Sequence, residues 1–136
     1  MKKLTFLLLL SPIFAHAQLP KSDRWTLLFE NPKTNEKTYI DNQTITGVKY
    51  FDGRVQAYLV WIRVYKDLTT DSYVERNDEH LAIDLSVSQY ELKSVAKYDK
   101  DGNAIDSHQF DIPRWIDIVP ESNGELILNY LKKLGK

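Results

Sequence analysis

Gly53-Arg54-Val55-Gln56-Ala57-Tyr58-Leu59-Val60-Trp61-Ile62-Arg63-Val64-Tyr65 is the longest β-prone run of the chain. Read with a period of two, one face carries Val55, Ala57, Leu59, Trp61, Arg63 and Tyr65. The other carries Gln56, Tyr58, Val60, Ile62 and Val64. Both faces are apolar in the middle, which is the pattern of a strand covered on both sides. More than half of the run is β-branched or aromatic, which suits a pleated surface. The run therefore predicts a central strand. A helix covers one face, and a loop, a second layer or a partner chain covers the other.

Working backwards, Asp52-Gly53 is a strong hairpin signal that leads into this strand from the short β-prone run Val48 to Phe51. Asn42 to Thr46 is a polar step. Lys37 to Asp41 and Arg24 to Asn31 read as two strands joined by turn chemistry at Asn31-Pro32-Lys33-Thr34-Asn35. In the first of them Trp25, Leu27 and Phe29 alternate with Thr26, Leu28 and Glu30. Working forwards, Asp67 to Asp71 closes the central strand. Ser72 to His80 is charged and poorly periodic, and reads as a strand tip followed by an exposed loop or ragged edge. Leu81 to Tyr98 reads as one long half-buried strand, bent or bulged near Ser86. A helix over Ser86 to Tyr98 fits less well, because Val87, Tyr90, Glu91, Ser94 and Tyr98 make no consistent apolar stripe. Asp99-Lys100-Asp101-Gly102-Asn103 is a second hairpin turn, and Ala104 to Phe110 returns as a short strand. Pro113 to Pro120 brackets an apolar clip of Trp115, Ile116, Ile118 and Val119.

The clearest helix lies at the end. Ser122-Asn123-Gly124-Glu125 matches a capping box. Leu126, Ile127, Tyr130, Leu131 and Leu134 recur at three- and four-residue spacing. Lys132 and Lys133 suit the last turn, and Gly135 is the stop. So short a helix is marginal in water unless its stripe packs on the sheet. The expected fold class is α+β, a single antiparallel β-sheet of about six strands with a C-terminal α-helix packed on it.

The N-terminus reads as a signal peptide, residues 1–17. Lys2 and Lys3 form its positive start, Leu4 to Phe14 its apolar run, and Ala15-His16-Ala17 its small-x-small cleavage site. The apolar run is too short to span a bilayer, so no membrane span is expected after cleavage. Residues 18–136 then form one domain. The 16 basic and 19 acidic residues left outside the leader give a formal charge of −3. The basic residues are scattered rather than striped, which argues against nucleic acid. No cysteine is present, which excludes disulfides and a lipid-bearing lipobox cysteine. The expected location is exported, either periplasm or cell surface.

No catalytic motif stands out. There is no Gly-x-Ser-x-Gly elbow, no thiol and no glycine-rich phosphate loop. The reading is not an enzyme, with no catalytic, cofactor-binding or metal site. His80 could face Asp84 on a strand, but a third ligand would have to come from elsewhere, such as His108. Asp117 reads as a solvent-facing strand residue between two inward isoleucines. The candidate protein-contact residues are Arg63, Tyr65, Tyr73, Glu75 and Arg76, at the end of the central strand and in the charged segment after it. Arg63 has a second, structural reading. It would pair with a carboxylate on a neighbouring strand, its stem over Trp61.

The order of features resembles the surface-adhesin protein E family of exported bacterial proteins. The resemblance rests on the leader, then Trp25-Thr26-Leu27-Leu28, then Tyr39-Ile40-Asp41 with Thr44-Ile45. It continues through Leu59-Val60-Trp61-Ile62-Arg63-Val64 and Lys97-Tyr98-Asp99-Lys100-Asp101-Gly102. It ends in Trp115, Ile118-Val119-Pro120-Glu121-Ser122 and the terminal helix. It implies an antiparallel sheet with a packed helix, homodimerisation, and a cell-envelope binding protein that binds host matrix or serum proteins. Many members carry a cysteine after the aspartate opening the long strand, paired with one near the C-terminus. Here Asp84 is followed by Leu85 and the chain ends Leu134-Gly135-Lys136, so apolar packing takes the place of that staple. The alternative is a periplasmic structural or accessory protein with a bacterial envelope partner and no host ligand.

Overall fold

The computed structural model describes residues 23–49, 55–66 and 74–135. The expected signal peptide, the Asp52-Gly53 turn, the closure at Asp67 to Asp71 and Tyr73 lie outside the described residues. The described strands are β1 (Trp25–Glu30), β2 (Lys37–Asp41), β3 (Thr46–Lys49), β4 (Val55–Tyr65), β5 (Arg76–Asp84), β6 (Gln89–Tyr98), β7 (Ala104–Gln109) and β8 (Ile116–Asp117). One helix, α1 (Asn123–Leu134), follows them. The strands make one sheet in the order β1-β2-β4-β5-β6-β7. β3 continues the β2 edge of β4, and β8 pairs with the start of β6. All pairings are antiparallel. The class is α+β as expected, with two short strands beyond the main path of six.

β4 is central, paired along nearly its whole length with β5 on one edge and with β2 and β3 on the other. Its helix-side residues Val60 and Ile62 join Ile40, Leu81, Ile83, Ile127, Leu128 and Leu131 in the core. Burying each such side chain is worth about 1.5–3 kcal/mol relative to leaving it in water. The β1–β2 turn closes by Asn35 N–H to the Asn31 carbonyl, and Asn35 takes φ 55°. Asparagine tolerates that left-handed conformation better than most side chains. The β6–β7 turn closes by Asp99 N–H to the Asn103 carbonyl, with Gly102 at φ 80°.

Two expectations need correction. Within the stretch read as an exposed loop, Arg76 to His80 are instead the first half of β5, an interior strand of the sheet. Leu81 to Tyr98 is not one bent strand. The chain reverses through Leu85–Ser88, with Ser88 at φ 53°, and β5 and β6 form a hairpin. Asp84 Oδ1 accepts from the Ser86 N–H at 2.8 Å and the Ser86 hydroxyl at 2.6 Å, an Asx turn that reverses the chain where strand periodicity alone does not reveal it.

The capping box forms with one change. Ser122 Oγ accepts from Glu125 N–H at 3.4 Å, while Glu125 Oε2 reaches back to the N–H of Glu121 at 2.7 Å rather than to Ser122. The buried stripe of α1 is Ile127, Leu128 and Leu131. Leu126 and Leu134, placed on that stripe by the sequence pattern, are 38% and 50% exposed. Tyr130 is half-buried and its hydroxyl bonds Asn42 Oδ1 at 2.7 Å. Asn42 Nδ2 in turn donates to Thr26 Oγ1 at 2.8 Å, so the helix is tied to β1 and to the turn after β2. At the other end, a Cβ added to Gly124 would lie 3.3 Å from Ile118 Cγ2, so glycine allows the clip and the helix to meet.

Candidate functional site

The register of β4 against β5 decides where the candidate contact residues stand. Arg63 opposes Asp78 and Tyr65 opposes Arg76, all on the sheet face turned away from α1. Tyr39 of β2 opposes Arg63, and Trp25 of β1 opposes Asp41. The far face thereby gathers a band of cations, carboxylates and rings. Arg63 Nε donates to Asp78 Oδ1 at 2.8 Å, and its Nη2 to Oδ2 at 2.9 Å. Its guanidinium lies 4.3 Å over the Trp25 ring. Arg24 makes the same two-pronged bond to Asp41, at 2.9 and 2.6 Å. Such fork-to-fork pairs hold both partners in plane and are stronger than neutral hydrogen bonds.

Burial opposes charge on Arg63. The hydrogen bond and field of Asp78 more than offset it, so the guanidinium is held above its ordinary pKa. Tyr65 is 8% exposed and meets Tyr39 edge to face at 5.8 Å. Burial pushes the Tyr39 hydroxyl up, and the neighbouring Tyr65 and Glu30 add to it. Arg76 lies 4.0 Å over the Tyr98 ring, and its Nε is 3.5 Å from Asp78 Oδ1. Glu75 is 6% exposed, held between strand ends by Lys66 N–H to its carbonyl at 2.6 Å and its own N–H to the Tyr98 carbonyl at 2.9 Å. Burial raises its carboxyl above the ordinary range, and Arg76 partly offsets this. Arg63, Tyr65, Glu75 and Arg76 are thus neighbours in space, while Tyr73 lies outside the described residues. The structural reading of Arg63 holds in its ion pair with Asp78, and the ring under its guanidinium is that of Trp25.

Trp61 instead stacks on His80, with centroids 4.7 Å apart and planes 5° from parallel. Burial, then Lys93, hold His80 below the ordinary imidazole value. Asp84 does not join it, since that carboxylate closes the Ser86 turn. His108 sits on β7 against Phe110. Among the described residues no three side chains gather as a metal site. Asp117 is exposed and accepts from Gln89 Nε2 at 2.9 Å. Trp25, Arg24, Asp41 and Asp78 are part of this band and escape a reading by sequence. The available signal is the alternation of Arg76, Asp78 and His80, which continues the period of Ala82 and Asp84 on one face.

The other side of the molecule is different in kind. All six residues of β7 are exposed, and β7 ends the strand order at an edge. After it come Phe110, Ile112, Trp115, Ile116 and Val119, all exposed. Between this segment, the sheet and the start of α1 lies a cavity of about 410 Å³. No protein-family model, curated protein or solved structure matches the chain. Among the described residues no helix is long and apolar enough to cross a membrane.

Proposed function

We propose that the protein is an exported bacterial cell-envelope binding protein that takes a protein partner along edge strand β7 and the apolar segment after it. The observation that carries this reading is the exposed margin itself. Ile105, Phe110, Ile112, Trp115, Ile116 and Val119 stand exposed within fifteen residues, Ile112 at 83%. Scattered exposed hydrophobics are ordinary, but a run of them beside a strand edge that no described strand pairs is the setting for strand addition by another chain. The leader and the resemblance to the surface-adhesin protein E family support the envelope setting and make a host matrix or serum protein the expected partner. The band around Arg63 serves as scaffold in this reading. Its charges are already paired with each other, and a partner would have to break those pairs to use them.

Ser107 provides the test. Phe110 N–H bonds the Lys93 carbonyl, so by alternation the Ser107 N–H points away from β6. Ser107→Pro removes an outward donor and leaves the β6 ladder intact, as edge prolines do. The expected result is loss of capture by matrix or serum proteins in Ser107→Pro and Ile112→Asp, with melting temperatures close to wild type. Capture unchanged by both variants, or no capture by the wild type above a control domain, would overturn the proposal. Shaving intact cells with protease, beside a periplasmic marker, separates surface display from a periplasmic accessory role.

A further inference from the structure

A second feature of the fold is the cavity between the sheet and α1. Its volume, about 410 Å³, lies within the range of roughly 300–1,000 Å³ common for small-molecule sites. Its floor is apolar, with Ile62, Leu81, Ile83 and Ile127 all nearly inaccessible to water. Tyr90 adds a ring to the wall. The charged lining is Glu36, Glu79, Asp117 and Lys66, three carboxylates against one cation. Lys66 Nζ is 3.5 Å from Glu36, and Asp117 is engaged by Gln89. Glu79 is the remaining carboxylate. It projects from β5 on the helix side opposite Ile62, and no described side chain hydrogen-bonds it. Burial raises its carboxyl above the ordinary range, and the field of Lys66 opposes this only in part. A half-buried carboxylate over an apolar floor lacks hydration that a bound cation would replace. The start of α1 at the rim does not compete for this role, because Ser122 and Glu125 already cap it.

We propose that this cavity binds a small organic cation with an apolar body, its ammonium on the Glu79 carboxylate and its hydrocarbon against Ile62, Leu81, Ile83 and Tyr90. Ammonium and carboxylate would form a charge-assisted hydrogen bond shielded from water by the hydrocarbon. The site lies apart from edge strand β7 but shares Ile116 and Val119 with the apolar segment after it, so a variant confined to β7, Ser107→Pro, separates failure of this site from failure of the partner surface.

The test is calorimetric titration of the full mature chain at neutral pH with 2-phenylethylammonium. 2-Phenylethanol and 3-phenylpropionate serve as neutral and anionic counterparts of similar shape. The expected result is binding of the ammonium at least tenfold tighter than either counterpart, and loss of that preference in Glu79→Gln. In isotope-edited spectra of the wild type, the ammonium should shift the methyl signals of Ile62, Ile83 and Ile127, which does not depend on any variant folding. Equal binding of alcohol and ammonium, a preference that survives Glu79→Gln, or unmoved methyl signals would overturn the proposal. Ser107→Pro should bind the ammonium as the wild type does.

Discussion

Arg63 and Asp78 face each other across β4 and β5, joined by two hydrogen bonds of 2.8 and 2.9 Å, with the Arg63 guanidinium 4.3 Å above the ring of Trp25. The pair sits in the interior of the sheet, with only 19% and 12% of the two side chains exposed. It links three strands, since Trp25 is on β1, Arg63 on β4 and Asp78 on β5. A largely desolvated pair of this kind is costly to halve, because the surviving charge keeps its burial and loses its partner.

Asp78→Ala should therefore lower stability by about 3 kcal/mol, the low end for breaking a buried pair. Replacing both residues, Arg63→Leu with Asp78→Leu, should cost much less than either half alone predicts. Denaturant unfolding of the two singles and the double gives the coupling directly. Additive losses would mean that the pair is a surface ornament and that Trp25 alone holds Arg63.

The helix offers a test of orientation. Leu131 is fully buried and Leu126 is 38% exposed, although the two share the pattern that marks the stripe in the sequence. Leu131→Ala should cost about 2–5 kcal/mol, the range for emptying a core leucine site. Leu126→Ala should cost under about 1 kcal/mol, as an exposed substitution does. Thermal or urea melts that rank them the other way would mean that α1 is rotated on the sheet.

Glu79 sets a pH dependence of known sign. Its carboxyl is raised by burial, so the folded chain holds this proton at a pH where the unfolded chain has released it. The folded state is favoured below the ordinary glutamate range, and that advantage is lost as pH rises through the raised folded value. Glu79→Gln should abolish this slope and raise stability at neutral pH by about 1 kcal/mol, the order of an imperfectly solvated polar group. Urea midpoints measured between acid and neutral pH for both chains give the comparison. Parallel curves would remove Glu79 from the set of strained groups.

His80 titrates in the opposite sense. Burial and Lys93 lower its pKa, so the folded state prefers the neutral ring stacked on Trp61. Its contribution is complete above the ordinary imidazole range and is lost as pH falls through the lowered value. His80→Phe should keep the stack and flatten the loss of stability on the acid side of neutrality. Proton resonances of the His80 ring followed through the titration should move at lower pH than those of an unfolded peptide. An unshifted midpoint would contradict the burial that the stack implies.

Local chemistry made much of this architecture legible in the sequence. The turn at Asn31 to Asn35, the turn at Asp99 to Asn103 and the cap at Ser122 each depend on side chains within a few residues of the backbone groups they serve. The same holds for the two-sided apolar pattern of β4, which marks a central strand because both its faces need cover. The class of fold, the hairpins at both ends and the terminal helix follow from these signals.

Tertiary structure alone decided the rest. The first half of β5 reads as a loop because Arg76, Asp78 and His80 are polar. Their partners Tyr98, Arg63 and Trp61 come from other strands and become visible only when the register brings them opposite. The rotation of α1 that buries Leu128 and exposes Leu126 is set by how the helix lies on the sheet, since both leucines satisfy a helical repeat. The cavity likewise joins β4, β5, β6, β8 and α1, elements whose spacing no stretch of sequence encodes. Turns and caps are nearest-neighbour physics. Charge pairing, helix rotation and cavities are sums over residues far apart in the chain, and folding must bring those residues together before the sums exist.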